Sequence, residues 1–271
     1  GAGKLGSCHV LDHACGQQLV AQQNLCYIAA NYRLGALGFL AHDALLAEDC
    51  DSHADECGCG NFAVLDLLCA LRWVQAHATS FGGDPNNVTI WGFSTGSQLA
   101  GTLLICPLAH GLFHRAMLQS CADLCNVREL DARREVWQHK TACEWGAALA
   151  EHLGCTGAKG AAAQLESMRQ LPVQKLVEAS WDEAATDVYE PAVDRRSPSL
   201  RVAKPCTSIE ALLQGDFARV PVLLGFTSTD GLGKMELEWT MLQDVKSVKD
   251  YEALLAQKFD DDRLVAALEC F

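Results

Sequence analysis

A short β-branched run, Val88 to Trp91, leads straight into Gly92-Phe93-Ser94-Thr95-Gly96, and from Ser97 to Leu104 the composition turns helix-friendly. That order fits a strand, a tight turn and a helix. Small residues suit both ends of the turn, because a Cβ at either glycine would crowd the adjacent strand or helix. A serine at the centre of such a turn has its Oγ lifted clear of the sheet, near the positive end of the following helix. As a bare pentapeptide the segment would be an inconsequential Gly/Ser turn. The strand and helix flanks make Ser94 a candidate nucleophile.

Elsewhere, apolar runs of strand length alternate with stretches of helical period, which predicts an α/β domain with a mainly parallel central sheet flanked by helices. Leu25 to Asn31 reads as a buried strand. Asn61 to His77 places Leu65, Leu68, Cys69, Leu71, Trp73 and Val74 at near-helical spacing, and Phe81-Gly82-Gly83-Asp84-Pro85-Asn86 ends that helix. Arg115 to Gln119 and the fully apolar Val220 to Phe226 read as further strands, the second of the type buried on both faces. Glu135 to Ser180 carries mostly helical periodicity, while Glu48 to Glu56 and Asp182 to Pro205 look like long solvated loops. No repeat, low-complexity tract or Pro/Ser-rich linker marks a boundary, so 1–271 reads as one domain.

Lys and Arg number 21 against 34 Asp and Glu, a net charge of −13, which is the wrong sign for nucleic acid or anionic lipid as a partner. No uninterrupted apolar stretch reaches the roughly 18 residues of a membrane span. Fourteen cysteines in 271 residues are many for a cytosolic protein and few for a small disulfide scaffold. Cys50, His53, Cys57 and Cys59 crowd one acidic segment. Four such ligands suit zinc, but C-x-C is a tight pair for two tetrahedral positions, and a disulfide or free thiols are the competing readings. Asn87-Val88-Thr89 has the form of a glycosylation acceptor; at the start of an expected buried strand it reads as structural.

Gly60-Asn61, Ala70 to Gln75, Phe81 to Thr89 and Gly92 to Gly96 stand in register, with Asn31 to Leu40 upstream and Leu112 to Ala116 and Val220 to Leu232 downstream. Together they resemble the type-B carboxylesterase and cholinesterase family, nearly end to end. The resemblance implies an α/β-hydrolase fold, incomplete at both ends, lacking the N-terminal strands and the C-terminal His-bearing part. It implies hydrolysis of a small-molecule carboxylic ester through an acyl-enzyme, with no metal or organic cofactor. Ser94 falls on the nucleophile, and the amide of Thr95 on one oxyanion donor. Gly1 and Ala2, at the end of a Gly-rich loop, fall on the other donors. Asp230, in Thr227-Ser228-Thr229-Asp230-Gly231, falls on the acid of the triad. Taken alone, Asp230 would be a turn residue before glycine.

Gly1 to Ser7 also satisfies G-x-G-x-x-G, but no strand precedes it, and Asn31 stands where a dinucleotide site needs an acid. None of the nine histidines stands at the family's base position; the last is His152, and His114 matches a structural residue after Leu112-Phe113. The expected explanation is truncation. The alternative reading is a non-catalytic, cholinesterase-like binding or adhesion module. Phe93 replaces the family's usual Glu before the nucleophile, which would remove a buried charge behind the site, and Thr95 replaces a small residue. Cys155 aligns with the first cysteine of a family disulfide whose second position is Met168, so that bridge cannot form. Arg33 and Arg72 are expected in internal ion pairs. The family and the cysteine content point to a secreted or endomembrane setting.

Overall fold

The computed structural model describes residues 13–51, 58–120, 130, 140–156, 160–179, 190–195, 204 and 206–227. The chain divides into two compact units, 1–225 and 226–271, and every element named below lies in the first. In chain order these are α1 (His13–Gln22), α2 (Gly35–Phe39), α3 (Asp43–Asp51), α4 (Phe62–His77), β1 (Thr89–Phe93), α5 (Thr95–Ile105), β2 (Arg115–Gln119), α6 (Ala142–His152), α7 (Ala161–Arg169), α8 (Val173–Ala179), α9 (Ser208–Gln214) and β3 (Val222–Gly225).

The strands form one sheet in the order β1-β2-β3. Both pairs are parallel, with Ile90 opposite Ala116 and Leu118 opposite Leu224. Parallel neighbours cannot be joined by a hairpin and need a crossover. Helix α5 supplies it between β1 and β2, and α6 to α9 fall between β2 and β3. Helix α5 is buried along almost its whole length from Ser97 to Ile105. Leu99, Ala100 and Leu103 pack there with Phe39, Leu68, Leu71, Ile90, Phe113 and Leu118 in the main core. This buried helix carries the serine turn at its N-terminus.

Three polar ties hold the family segments together. Gln75 on α4 donates through Nε2 to the carbonyls of Pro85 and Leu112, joining the helix to the Gly-Gly-Asp-Pro turn and to the chain entering β2. His114 donates its N–H to the carbonyl of Val88 and accepts from the Val88 N–H at Nδ1, so it is a structural clamp at the foot of β1. Arg33 pairs with Asp66 at 2.7 Å, but at the surface rather than internally, its side chain half exposed; Arg72 likewise lies exposed on α4. Cys155 is a free thiol in the same core cluster as Met168, and burial pushes it up from its ordinary value.

Several local expectations are corrected. Leu25 to Asn31 carries no regular secondary structure, and Leu25 and Ile28 are exposed. A strand exists only when paired, and among the described residues none lies in register beside it. Leu25 to Ile28 instead line, with Val20, Trp73 and Phe81, an apolar hollow of about 470 Å³ that includes no residue of the serine turn. Within Glu48 to Glu56, the first residues belong to α3 rather than to a loop. Ala44 to Ala47 are strong helix formers, and Asp43 complements the positive helix start. Residues 52–57 lie outside the described residues. The apolar run before Phe226 shortens to Val222–Gly225 and is exposed, Leu223 by 61%. Among the described residues it pairs on one side only, with β2, so its pattern promised more cover than the described sheet gives it. The loop expected over Asp182 to Pro205 is described only at 190–195 and 204, where Asp194 N–H meets the carbonyl of Lys204 and both residues are buried. Asn87 and Thr89 are exposed, in contrast to the buried strand start expected for them.

Candidate active site

The turn from β1 to α5 has the form that the glycines require. Ser94 sits at φ 55°, ψ −126°, as the residue capping α5. Among the described residues only Ser94 and Ser120 combine a side chain with a positive φ. Such a backbone costs on the order of 1–3 kcal/mol and persists only where its surroundings over-determine it. They do so here. The Ser94 N–H donates to the carbonyl of Gln119 at 2.9 Å, tying the turn to β2. The Ser94 carbonyl accepts from Ser97 and Gln98 N–H at 2.8 and 3.0 Å, starting the helix. A Cβ on Gly92 would stand 2.1 Å from the carbonyl oxygen of Gly96, so strand and helix approach as closely as glycine permits.

Serine at a helix N-cap ordinarily spends its hydroxyl on a backbone N–H of the first turn. Ser94 makes no such capping bond, and it is half-buried rather than enclosed. Behind it, the amides of Thr95 and Gly96 open α5, and among the described residues they meet no acceptor. Unsatisfied N–H groups at a helix start, together with the helix dipole, make a donor pair suited to an oxyanion. The hydroxyl and the Thr95 amide are therefore brought together by one turn. Gly1, Ala2 and Asp230 lie outside the described residues. So do His53 and Cys57 and the side chain of Cys50; Cys59 is a buried thiol whose Sγ lies 3.8 Å from the His42 carbonyl oxygen.

One feature escaped the sequence reading. Gln98, one helical turn beyond the serine, is buried and donates through Nε2 to the Glu190 carboxyl at 2.8 Å. Glu190 is itself only 6% exposed. Two residues on, the Ala192 backbone is held at both ends by Asn61, whose Nδ2 donates to the Ala192 carbonyl while its Oδ1 accepts the Ala192 N–H, at 2.9 and 3.0 Å. Residues 190–192 thus form a strap between the starts of α4 and α5. Position 93 carries no buried charge, since Phe93 is 55% exposed, yet a carboxyl is buried one helical turn beyond the serine, from a different segment. A polar residue on a buried helix was the available signal, because buried amides need partners.

The carboxylesterase family pattern matches residues 4–268. The chain belongs to the carboxylesterase family. This family chain is similar, at 29% identity over 97% of its length, to the fumonisin B1 esterase of Sphingopyxis macrogoltabida, of which it spans 43%. It is 29% identical to cholinesterase 1 of Branchiostoma lanceolatum over 85% of its length, spanning 60% of that protein. Against the para-nitrobenzyl esterase of Bacillus subtilis strain 168 the identity is 28%, with 89% of this chain and 43% of that one covered. Among solved structures, a carboxylesterase of Geobacillus stearothermophilus superposes with a TM-score of 0.70 at 26% identity, covering 96% of this chain and 52% of the other. The expected α/β-hydrolase fold is therefore present, with an open parallel sheet flanked by helices. Among the described residues no helix is long and apolar enough to cross a membrane.

Proposed function

We propose that the protein is a serine carboxylic-ester hydrolase and that Ser94 is its nucleophile. The carrying observation is the Ser94 backbone, strained to φ 55° between β1 and α5, with its hydroxyl free of the helix cap. In this reading the Ser94 Oγ attacks the ester carbonyl carbon while its proton passes to a general base. The carbonyl oxygen becomes an oxyanion facing the Thr95 amide, with the amides of Gly1 and Ala2 as the other donors. Collapse breaks the acyl–oxygen bond, and the alcohol leaves with the proton. Water then repeats the sequence on the acyl-Ser94 ester and releases the acid. Asp230 orients the imidazole that acts as base, a role given to none of the nine histidines here. The relatives are named for fumonisin B1, choline and para-nitrobenzyl esters, which supports a small-molecule ester substrate without selecting one.

The test is hydrolysis of short-chain aryl esters by the full-length protein, wild type against Ser94→Ala. Loss of the nucleophile is expected to lower kcat on the order of 10⁶-fold. Equal rates in the two proteins would end this reading.

A further inference from the structure

Asn87-Val88-Thr89 is the sole Asn-x-Ser/Thr triplet in the 271 residues, and the structure places it differently from the buried strand start that its sequence suggests. Both Asn87 and Thr89 are exposed. Asn87 lies at the end of a turn in which its N–H donates to the Asp84 carbonyl at 3.0 Å and the Asn86 N–H donates to Asp84 Oδ1 at 2.9 Å. Thr89 is the first residue of β1, so the triplet straddles a turn and a strand end at the surface.

We propose that Asn87 is an N-glycosylation site, taking an oligosaccharide from a polyprenyl-pyrophosphate donor in the lumen of the secretory pathway. The chemistry falls on Nδ2. A bond forms between that nitrogen and the anomeric carbon of the reducing-end sugar. The bond from that carbon to the pyrophosphate oxygen breaks, and the polyprenyl pyrophosphate leaves while Nδ2 gives up one proton. Arg115 holds Asn87 through Oδ1, the atom the transfer does not touch. Among the described residues Nδ2 meets no acceptor, so a glycan and the Arg115 contact are compatible in one folded state. The strand that separates this point from Ser94 spans roughly 13 Å at about 3.3 Å per residue, so the attachment point lies at the opposite end of β1 from the serine turn.

The experiment is peptide mass spectrometry on the full-length protein purified from its source, treated with peptide-N-glycosidase in heavy-oxygen water. The expected result is conversion of Asn87 to labelled aspartate, with a glycan-sized gel shift on enzyme treatment. In cells of the same source, Asn87→Gln and Thr89→Ala should lose the shift, while Thr89→Ser should keep it at reduced occupancy, because serine also completes the acceptor. Thr89→Ser covers the case in which a harsher change impairs folding. Native protein with unmodified Asn87, or a shift that persists in Thr89→Ala, overturns the proposal.

Discussion

Gly92→Ala tests most sharply whether strand and helix are pressed together to make the serine turn. The added Cβ would lie 2.1 Å from the Gly96 oxygen, 2.3 Å from its carbonyl carbon and 2.5 Å from the Ser97 nitrogen. Contact between heavy atoms is comfortable at roughly 3.5 Å, so the shortfall is about 1.4 Å. All three obstacles are backbone, and no side-chain rotation relieves them. The first turn of α5 must therefore retreat by about the rise of one helical residue, ~1.5 Å. Overpacking of this kind costs typically 1–3 kcal/mol, and a backbone clash belongs at the upper end. A displacement near 1 Å at the reacting atoms is worth about 10²-fold in rate.

Two other glycines separate the causes. Gly225→Ala has no heavy atom within 4 Å of the new Cβ and should stay within about 0.5 kcal/mol of wild type. Gly82→Ala is equally open but sits at φ +78°, so it should lose about 1–2 kcal/mol in stability without slowing the serine. Urea unfolding and the rate of fluorophosphonate labelling read the two effects separately. Wild-type stability and labelling in Gly92→Ala would refute the argument from close approach.

The strap gives a second prediction: Asn61→Ala leaves the buried Ala192 N–H and carbonyl without partners and should cost roughly 2–4 kcal/mol in urea unfolding. Glu190→Ala should cost about 1–3 kcal/mol, and the exchanged pair Gln98→Glu with Glu190→Gln should recover most of it, since donor and acceptor merely change sides; no recovery would mean that the 2.8 Å contact is not what matters. Asp66 supplies a pH dependence. Burial opposes its charge, but Arg33 hydrogen bonds to the carboxylate from side chain and backbone and holds it below the ordinary carboxylate range. The folded carboxyl thus binds a proton less readily than the unfolded one, so this contribution is full above the ordinary carboxylate range and fades as pH falls through the folded value. Asp66→Asn should flatten the acid side of the stability–pH curve by no more than about 1 kcal/mol, because Arg33 is half exposed.

Much of this arrangement could be read from local pattern. The residues from Thr89 to Ile105 carry strand propensity, obligatory glycine and helix propensity in turn, and each level points the same way. Arg115–Gln119 emerged with its expected bounds, and Asn61 to His77 needed only the shift of Asn61 to the cap position. Where the reading failed, the missing information was tertiary. Leu25 to Asn31 has a strand's composition, but composition cannot say whether a neighbour will offer a ladder. Glu190 looked like one more acid in a loop, and its partner Gln98 lies 92 positions away in sequence. Helix α9 was missed although its signal was local: Thr207 and Glu210 form a capping box, with Thr207 Oγ1 accepting the Glu210 N–H and the Glu210 carboxylate accepting the Thr207 N–H. The base of the proposed mechanism was absent from the pattern for a plain reason, since no histidine follows His152.

The central claim is that the Ser94 hydroxyl is the group that accepts an acyl carbon. Its most direct measurement is the mass of the tryptic peptide containing Ser94 after the full-length, folded protein has met a fluorophosphonate. The account predicts a single covalent phosphonyl adduct on Ser94, abolished in Ser94→Ala and by prior unfolding. An adduct on a different serine, or none on protein shown to be folded, would contradict it.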